Sequence, residues 1–136
     1  MSESIFKENL FEGKKVFITG GATGMGLGFA KAFLEHGADV LIASRKEENL
    51  SKAASEIKDQ TGKTLHWKMM DVRNNETVEE VAKYIKDKWG YLDVLVNNAA
   101  GNFVTPAAAM SENAWRAVID IVLDGTFRVS KACYPL

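Results

Sequence analysis

The chain has 136 residues, of which 46% are hydrophobic and 26% are charged, a composition typical of one globular domain. Its formal net charge of −1 provides no basic surface, so we expect neither a nucleic-acid nor a membrane partner. The polar start MSESIFKENL is not typical of a signal peptide, and no apolar run is long enough to span a bilayer.

The Cys and His content limits the possible disulfides and metal sites. The single cysteine, Cys133, excludes an internal disulfide, favours a cytoplasmic location and is expected to be a small buried residue. His36 and His66 have no further ligand at metal-binding spacing, so we predict no metal site.

Short apolar segments alternate along the chain with amphipathic ones. Strands are predicted over residues 14–20, 38–45, 64–72 and 92–101, the last of them running into a turn. Helices are predicted over residues 24–36, 47–57, 76–89 and from Ser111 onward, with Ser111 as the N-cap of the last helix. This alternation predicts an α/β fold, a Rossmann-like doubly wound parallel sheet of about four βα units with helices on both faces.

The segment between the first strand and the first helix, FITGGATGMGLGF, is rich in glycine. Such a turn forms an anion site because free N–H groups and the helix dipole point at the ligand, and missing Cβ atoms let it approach. The spacing is T-G-x-x-x-G-x-G from Thr19 to Gly26, whereas the dinucleotide fingerprint G-x-G-x-x-G would need a glycine at Phe29. A merely structural turn is the alternative.

Three motifs together resemble the short-chain dehydrogenase/reductase family. They are the glycine loop, the NNAAG turn at residues 97–101, and the MDV segment at residues 70–72, where the family places an Asp against adenine. All three lie at the carboxyl ends of predicted parallel strands, at the edge where open α/β sheets bind ligands. The resemblance covers nearly the whole chain and implies a dinucleotide site formed by Thr19, Gly20, Ala22, Thr23, Gly24, Met25, Gly26, Ser44, Arg45, Asp71, Val72, Asn98, Ala99 and Ala100.

The end of the second strand indicates which nicotinamide cofactor is bound. NAD sites usually carry an acid there for the ribose hydroxyls, and NADP sites replace it with a cation. Ser44 stands in the place of that acid, and the guanidinium of Arg45 can bind a phosphate. We therefore predict NADP(H), with an ordinary surface role for Arg45 as the alternative.

The run NNAAGNF, with ASRK, DVR, NAW and DIVLDGTF, is similar to the 2,4-dienoyl-CoA reductase branch of the family. The resemblance implies NADPH-dependent reduction of 2,4-dienoyl-CoA to 3-enoyl-CoA in unsaturated fatty acid degradation. It implies that Asn102 is catalytic and donates a hydrogen bond to the thioester oxygen or the dienolate. It also implies that Arg73, Phe103 and Ser111 bind the acyl-CoA substrate, and that the full-length form is a homo-tetramer.

Two positions depart from the family patterns. Ordinary dehydrogenases of the family carry a catalytic Asn in the long helix where this chain has Val122, which disfavours an alcohol or 3-ketoacyl dehydrogenase. Asp124 stands where the dienoyl-CoA reductases typically have Asn. A carbonyl-reducing short-chain dehydrogenase for a 3-ketoacyl or sugar substrate, and an inactive nucleotide-binding fragment, are the alternative functions.

The catalytic Tyr and Lys of the family are expected beyond residue 136. Tyr84 and Lys88 have the Y-x-x-x-K spacing, but they precede the NNAAG turn on a helix predicted to cover the face of the sheet, where such pairs share a surface stripe. The chain also stops within a predicted helix. We therefore expect residues 1–136 to be the N-terminal portion of a larger single NADP-binding domain, inactive by itself.

Overall fold

Residues 5–136 are described by a computed structural model in which four strands alternate with helices. The strands are β1 (Lys15–Thr19), β2 (Asp39–Ser44), β3 (His66–Met69) and β4 (Val94–Val96). The helices are α1 (Gly24–Glu35), α2 (Glu47–Thr61), α3 (Asn75–Trp89), α4 (Glu112–Ile119) and α5 (Gly125–Cys133). A 3₁₀ turn (Ala107–Ala109) precedes α4, and a π-helical segment (Asp120–Asp124) joins α4 directly to α5.

The strands form one parallel sheet in the order β3-β2-β1-β4. Val16 of β1 lies opposite Val40 of β2 on one side and opposite Val94 of β4 on the other. The predicted α/β fold is therefore confirmed. β4 lies at one edge of the sheet.

Side chains of β1 and β2 alternate between the two faces of the sheet, as the pleat requires. One face packs under α1 and α2, with Val16 and Ile18 buried there. The other face packs under α3 and α5, with Phe17 and Leu41 buried there. Helices thus cover both faces, which is why these strands are apolar almost throughout.

Four predicted elements differ from the structure by more than one residue, and one of them, α2, continues past residue 57 to Thr61. β4 covers only Val94–Val96 because the polar NNAAG segment leaves the sheet and turns. β3 is likewise shorter than predicted, and the last helix is interrupted by the π-helical segment. The start of α4 is as predicted, since the Ser111 hydroxyl accepts a hydrogen bond from the Ala114 N–H at 3.2 Å.

Cys133, the last residue of α5, is buried in the core, as predicted for a small apolar residue. Its burial raises the pKa of the thiol to about 11, because desolvation disfavours the thiolate. None of the helices within residues 5–136 is both long and apolar enough to cross a membrane.

Candidate cofactor site

A cavity of about 330 Å³ opens at the carboxyl edge of the sheet. Residues that follow each of the four strands line it, which is the arrangement expected of a ligand site in an open parallel sheet. The lining residues predicted from the sequence are Gly20, Thr23, Met25, Gly26, Ser44, Arg45, Asp71, Val72, Arg73, Asn98, Ala99 and Ala100.

Six predicted site residues lie outside the lining of this cavity. Thr19 and Ala22 are buried behind the glycine loop, and Gly24 begins α1 with a φ of +55°. The other three were predicted for catalysis or substrate binding, whereas Arg73, also predicted to bind the substrate, lines the cavity. They are Asn102 and Phe103, which are exposed in the segment after β4, and Ser111, which caps α4.

Thr19 and Asn98 hold the glycine loop against the turn that follows β4. The Thr19 hydroxyl accepts hydrogen bonds from the N–H groups of Asn98 at 3.0 Å and Ala99 at 2.9 Å. The Asn98 side-chain amide donates in return to the carbonyls of Thr19 at 3.1 Å and Gly20 at 3.0 Å. Thr19 is only 1% exposed, so its place in the motif has a structural reason within the chain itself.

The contact between the glycine loop and the turn after β4 also explains the spacing of the glycines. A Cβ on Gly26 would lie 2.4 Å from the Gly20 carbonyl oxygen and 2.5 Å from Nδ2 of Asn98. Gly20 has a φ of +65°, and a Cβ there would lie 3.0 Å from the Cα of Ala99. Side chains at these two positions would therefore separate the glycine loop from the β4 turn.

The charged groups that line the cavity are two arginines and one carboxylate. The Arg73 guanidinium binds Asp71, with Nη2–Oδ2 at 2.6 Å and Nε–Oδ1 at 3.0 Å. Hydrogen bonds from Arg73 hold the pKa of Asp71 below its usual value, with a smaller contribution from the charge of Arg45. The resulting excess of positive charge favours a phosphate-bearing ligand.

The sequence did not predict three lining residues, Ala43, Met70 and Ile121. Ala43 directly precedes Ser44, and Met70 directly precedes Asp71, so both are neighbours of residues that the motifs predicted. Ile121 belongs to the π-helical segment, and a Cβ on Gly101 would lie 2.7 Å from its Cδ1 atom. Gly125, a poor helix former within a helical pattern, was the sequence signal for this irregularity.

Tyr84 and Lys88 lie on α3 and do not line the cavity. The Tyr84 ring packs against the core beneath α3, and Nζ of Lys68 lies 4.3 Å from its centroid. Within residues 5–136, no group of three or more His, Cys, Asp or Glu side chains is arranged to hold a metal ion.

The family model of the short chain dehydrogenases matches residues 14–136. The chain belongs to the short chain dehydrogenase family. The chain is 40% identical over 130 residues to the peroxisomal 2,4-dienoyl-CoA reductase [(3E)-enoyl-CoA-producing] of Danio rerio, and the match covers 96% of the chain and 43% of that relative. It is 43% identical over 121 residues to the probable 2,4-dienoyl-CoA reductase [(2E)-enoyl-CoA-producing] of Bacillus subtilis, covering 89% of the chain and 47% of the relative.

A solved structure of a short chain dehydrogenase from Shigella flexneri, complexed with NADP, is also similar to this short chain dehydrogenase. The two share 29% sequence identity and a TM-score of 0.87, over 96% of this chain and 56% of that one. The predicted family is thus confirmed, and the curated relatives described above carry the name of the predicted branch. The chain spans less than half the length of those curated relatives.

Proposed function

We propose that this chain is the cofactor-binding, N-terminal portion of an NADPH-dependent reductase of 2,4-dienoyl-CoA. The cavity at the carboxyl edge of the sheet supports this proposal, because it joins a glycine loop, a helix N-terminus and two arginines. The names of the relatives support the substrate. We propose a 3-enoyl-CoA product, as named for the Danio rerio relative, whereas the Bacillus subtilis relative is named for the (2E) product.

The lining residues fit a dinucleotide phosphate. The backbone of Thr23, Met25 and Gly26 at the start of α1 would hold the pyrophosphate, since N–H groups there have no partner within the helix. Arg45 would bind the 2′-phosphate of NADP, and Ser44 leaves room for it where an acid would repel it. The NADP-bound relative from Shigella flexneri supports the same choice.

Asp71 and Val72 would contact the adenine. The Asp71 carboxylate lines the cavity and accepts hydrogen bonds from Arg73. It can accept further hydrogen bonds from a ligand, because a carboxylate offers about four lone-pair sites. Its lowered pKa keeps it ionised at neutral pH, so it can accept from the amino group of the base.

When bound, the nicotinamide would supply a hydride to the conjugated diene, and the chain must then stabilise negative charge on the thioester oxygen. We assign this to the amide of Asn102. Asn102 follows the turn whose Ala100 lines the cavity, and no described residue forms a hydrogen bond with its exposed side chain. Its amide is therefore not used to hold the turn and can donate to a substrate.

Phe103, Ser111 and Arg73 are the proposed acyl-CoA contacts. Phe103 is 55% exposed beside Asn102, so its ring can cover an acyl chain. Capping of α4 uses an acceptor lone pair of Ser111, so its O–H can still donate to a ligand. Arg73 is exposed at the rim, where its free donors can meet a CoA phosphate.

The assembly and the location are proposals as well. Large apolar side chains on the outside of the α4–α5 region support a homo-tetramer of the full-length protein, because Trp115, Leu123 and Phe127 are 57%, 62% and 64% exposed. A cytoplasmic location is supported by the composition of the chain, with its single buried thiol.

The decisive experiment uses the protein from the full reading frame. NADPH oxidation is followed with 2,4-hexadienoyl-CoA and with a panel of 3-ketoacyl and sugar ketones, and NADH in place of NADPH is the control. We expect turnover of the dienoyl-CoA with NADPH. Turnover of ketones alone would replace the proposal with a carbonyl reductase, and NADPH binding without any turnover would indicate a nucleotide-binding module.

A further inference from the structure

Arg128 of α5 connects two walls of the cavity without lining it. Its Nη1 atom donates to Oδ1 of Asp120 at 2.8 Å and to the Asp120 carbonyl at 3.3 Å. The same nitrogen lies 3.3 Å from the carbonyl oxygen of Val72, in the wall that follows β3. The guanidinium is half-buried between them, with 25% of the side chain exposed.

The π-helical segment needs such support because its wider turn disturbs the usual pattern of backbone hydrogen bonds. The Asp120 carbonyl accepts from the Gly125 N–H and also from Arg128. The Val122 carbonyl accepts from the Thr126 hydroxyl at 2.7 Å. Side chains of α5 thus satisfy carbonyls of the π-helical segment, and this keeps Ile121 in the cavity wall.

The cavity wall after β3, formed by Asp71 and Val72, lies directly against the π-helical segment. A Cβ on Gly125 would lie 2.8 Å from Cγ2 of Val72, so the Val72 side chain packs against the Gly125 backbone as closely as glycine permits. Val72 follows Asp71, whose carboxylate is the acceptor that this wall presents to the cavity. A guanidinium bound to both the Val72 carbonyl and the π-helical segment therefore fixes the distance between Asp71 and Ile121.

We propose that Arg128 is a positioning residue for the adenine end of the cavity, which sets the place of the Asp71–Val72 wall relative to Ile121. The proposal rests on the proposed function, since it assumes an adenine nucleotide in the cavity. Arg128 acts through the wall and does not touch the ligand. It determines how well the wall distinguishes a base with an amino group from a base with an oxo group.

The test measures that selectivity in the protein from the full reading frame. Calorimetry gives the affinities for 2′,5′-ADP and for its hypoxanthine counterpart, in which an oxo group replaces the amino group. We compare wild type with Arg128→Met, and with Arg116→Met, an exposed arginine on α4, as the matched control. The ratio of the two affinities is independent of the folded fraction, so a general loss of stability does not change it.

We expect Arg128→Met to lower the preference for 2′,5′-ADP about fivefold, the effect of one misplaced hydrogen bond. Arg116→Met should leave the ratio within about twofold of wild type. An unchanged ratio in Arg128→Met, even with a lower Tm, would overturn the proposal. If Arg128→Met does not fold, Arg128→Lys is measured instead, and the same ratio decides.

The outcome also separates this proposal from the proposed function. If the wild type binds neither nucleotide, the NADP site itself is wrong, and the role of Arg128 is overturned with it. If the wild type binds 2′,5′-ADP and only the effect of Arg128 is missing, the proposed function stands and the positioning role alone is rejected.

Discussion

The glycine-loop side of the cavity and the segment after β4 are built in opposite ways. On the glycine side, Thr19 is 1% exposed, and hydrogen bonds join its hydroxyl and carbonyl to the β4 turn. In the segment after β4, Phe103 is 55% exposed and Val104 92%. The first side is determined by contacts within the chain, so a short motif can encode it, whereas the second presents exposed side chains that are available to a ligand.

The largest expected effect tests the exposed side. Asn102→Ala in the full-length protein should lower kcat for 2,4-dienoyl-CoA by ~10² to 10³, roughly 3–4 kcal/mol, because an oxyanion donor is lost. The Kd for NADPH and the Tm should hardly change, since the side chain is exposed. Tyr84→Phe is the control and should keep kcat within about twofold, ~0.4 kcal/mol. A destabilised Asn102→Ala enzyme with normal kcat would contradict the assignment.

The next effect tests the tightly built side. Gly26→Ala should reduce the free energy of unfolding by about 2–3 kcal/mol and weaken NADPH binding, because its Cβ would meet the Gly20 carbonyl and the Asn98 amide. Gly28→Ala, two residues along α1, is the matched control, since nothing lies within 4 Å of the added Cβ. It should stabilise the protein by about 0.5–1 kcal/mol. Urea unfolding measures both, and equal effects would show that the close approach is not a constraint.

Cofactor choice depends on residues at the rim of the cavity, between the two sides. Exchanging Ser44 for Asp and Arg45 for Ala should raise the Kd for NADPH relative to NADH roughly tenfold, about 1.4 kcal/mol, because the 2′-phosphate loses a cation and meets an anion. Lys46→Ala, an exposed cation outside the cavity lining, controls for general charge effects. An unchanged NADPH preference in the double variant would remove Arg45 from this role.

The smallest effect is the pH dependence of the Asp71–Arg73 pair. The pKa of Asp71 is lowered in the folded protein, so the pair stabilises it above the ordinary carboxyl pKa of about 3.9, and this contribution is lost as the pH falls through the folded value. Arg73→Met should therefore cost less than about 1 kcal/mol at pH 7, because the pair is partly solvent-screened. In urea unfolding, the difference from wild type should shrink as the pH falls below the ordinary carboxyl pKa. A difference that persists there would indicate lost packing instead.

Only part of the molecule could be predicted from its sequence. The parallel sheet and most of the cavity lining follow from strand–helix alternation and three short motifs, because these features depend on local backbone geometry. Ile121 and Arg128 were not predicted, since apart from Gly125 the residues around them have the pattern of an ordinary helix. Their roles depend on the contact between Gly125 and Val72, which brings together segments far apart in the chain.

The hydrogen bonds between the end of β1 and the turn after β4 also have a consequence for how the protein folds. The Thr19 hydroxyl bonds the N–H groups of Asn98 and Ala99, 79 and 80 residues further along the chain. The pairs β1–β2 and β2–β3 close much shorter loops, so they lose less entropy and are expected to form first. The anion site is then completed only when β4 docks, and a refolding chain should regain its helices before it regains the ability to bind nucleotide.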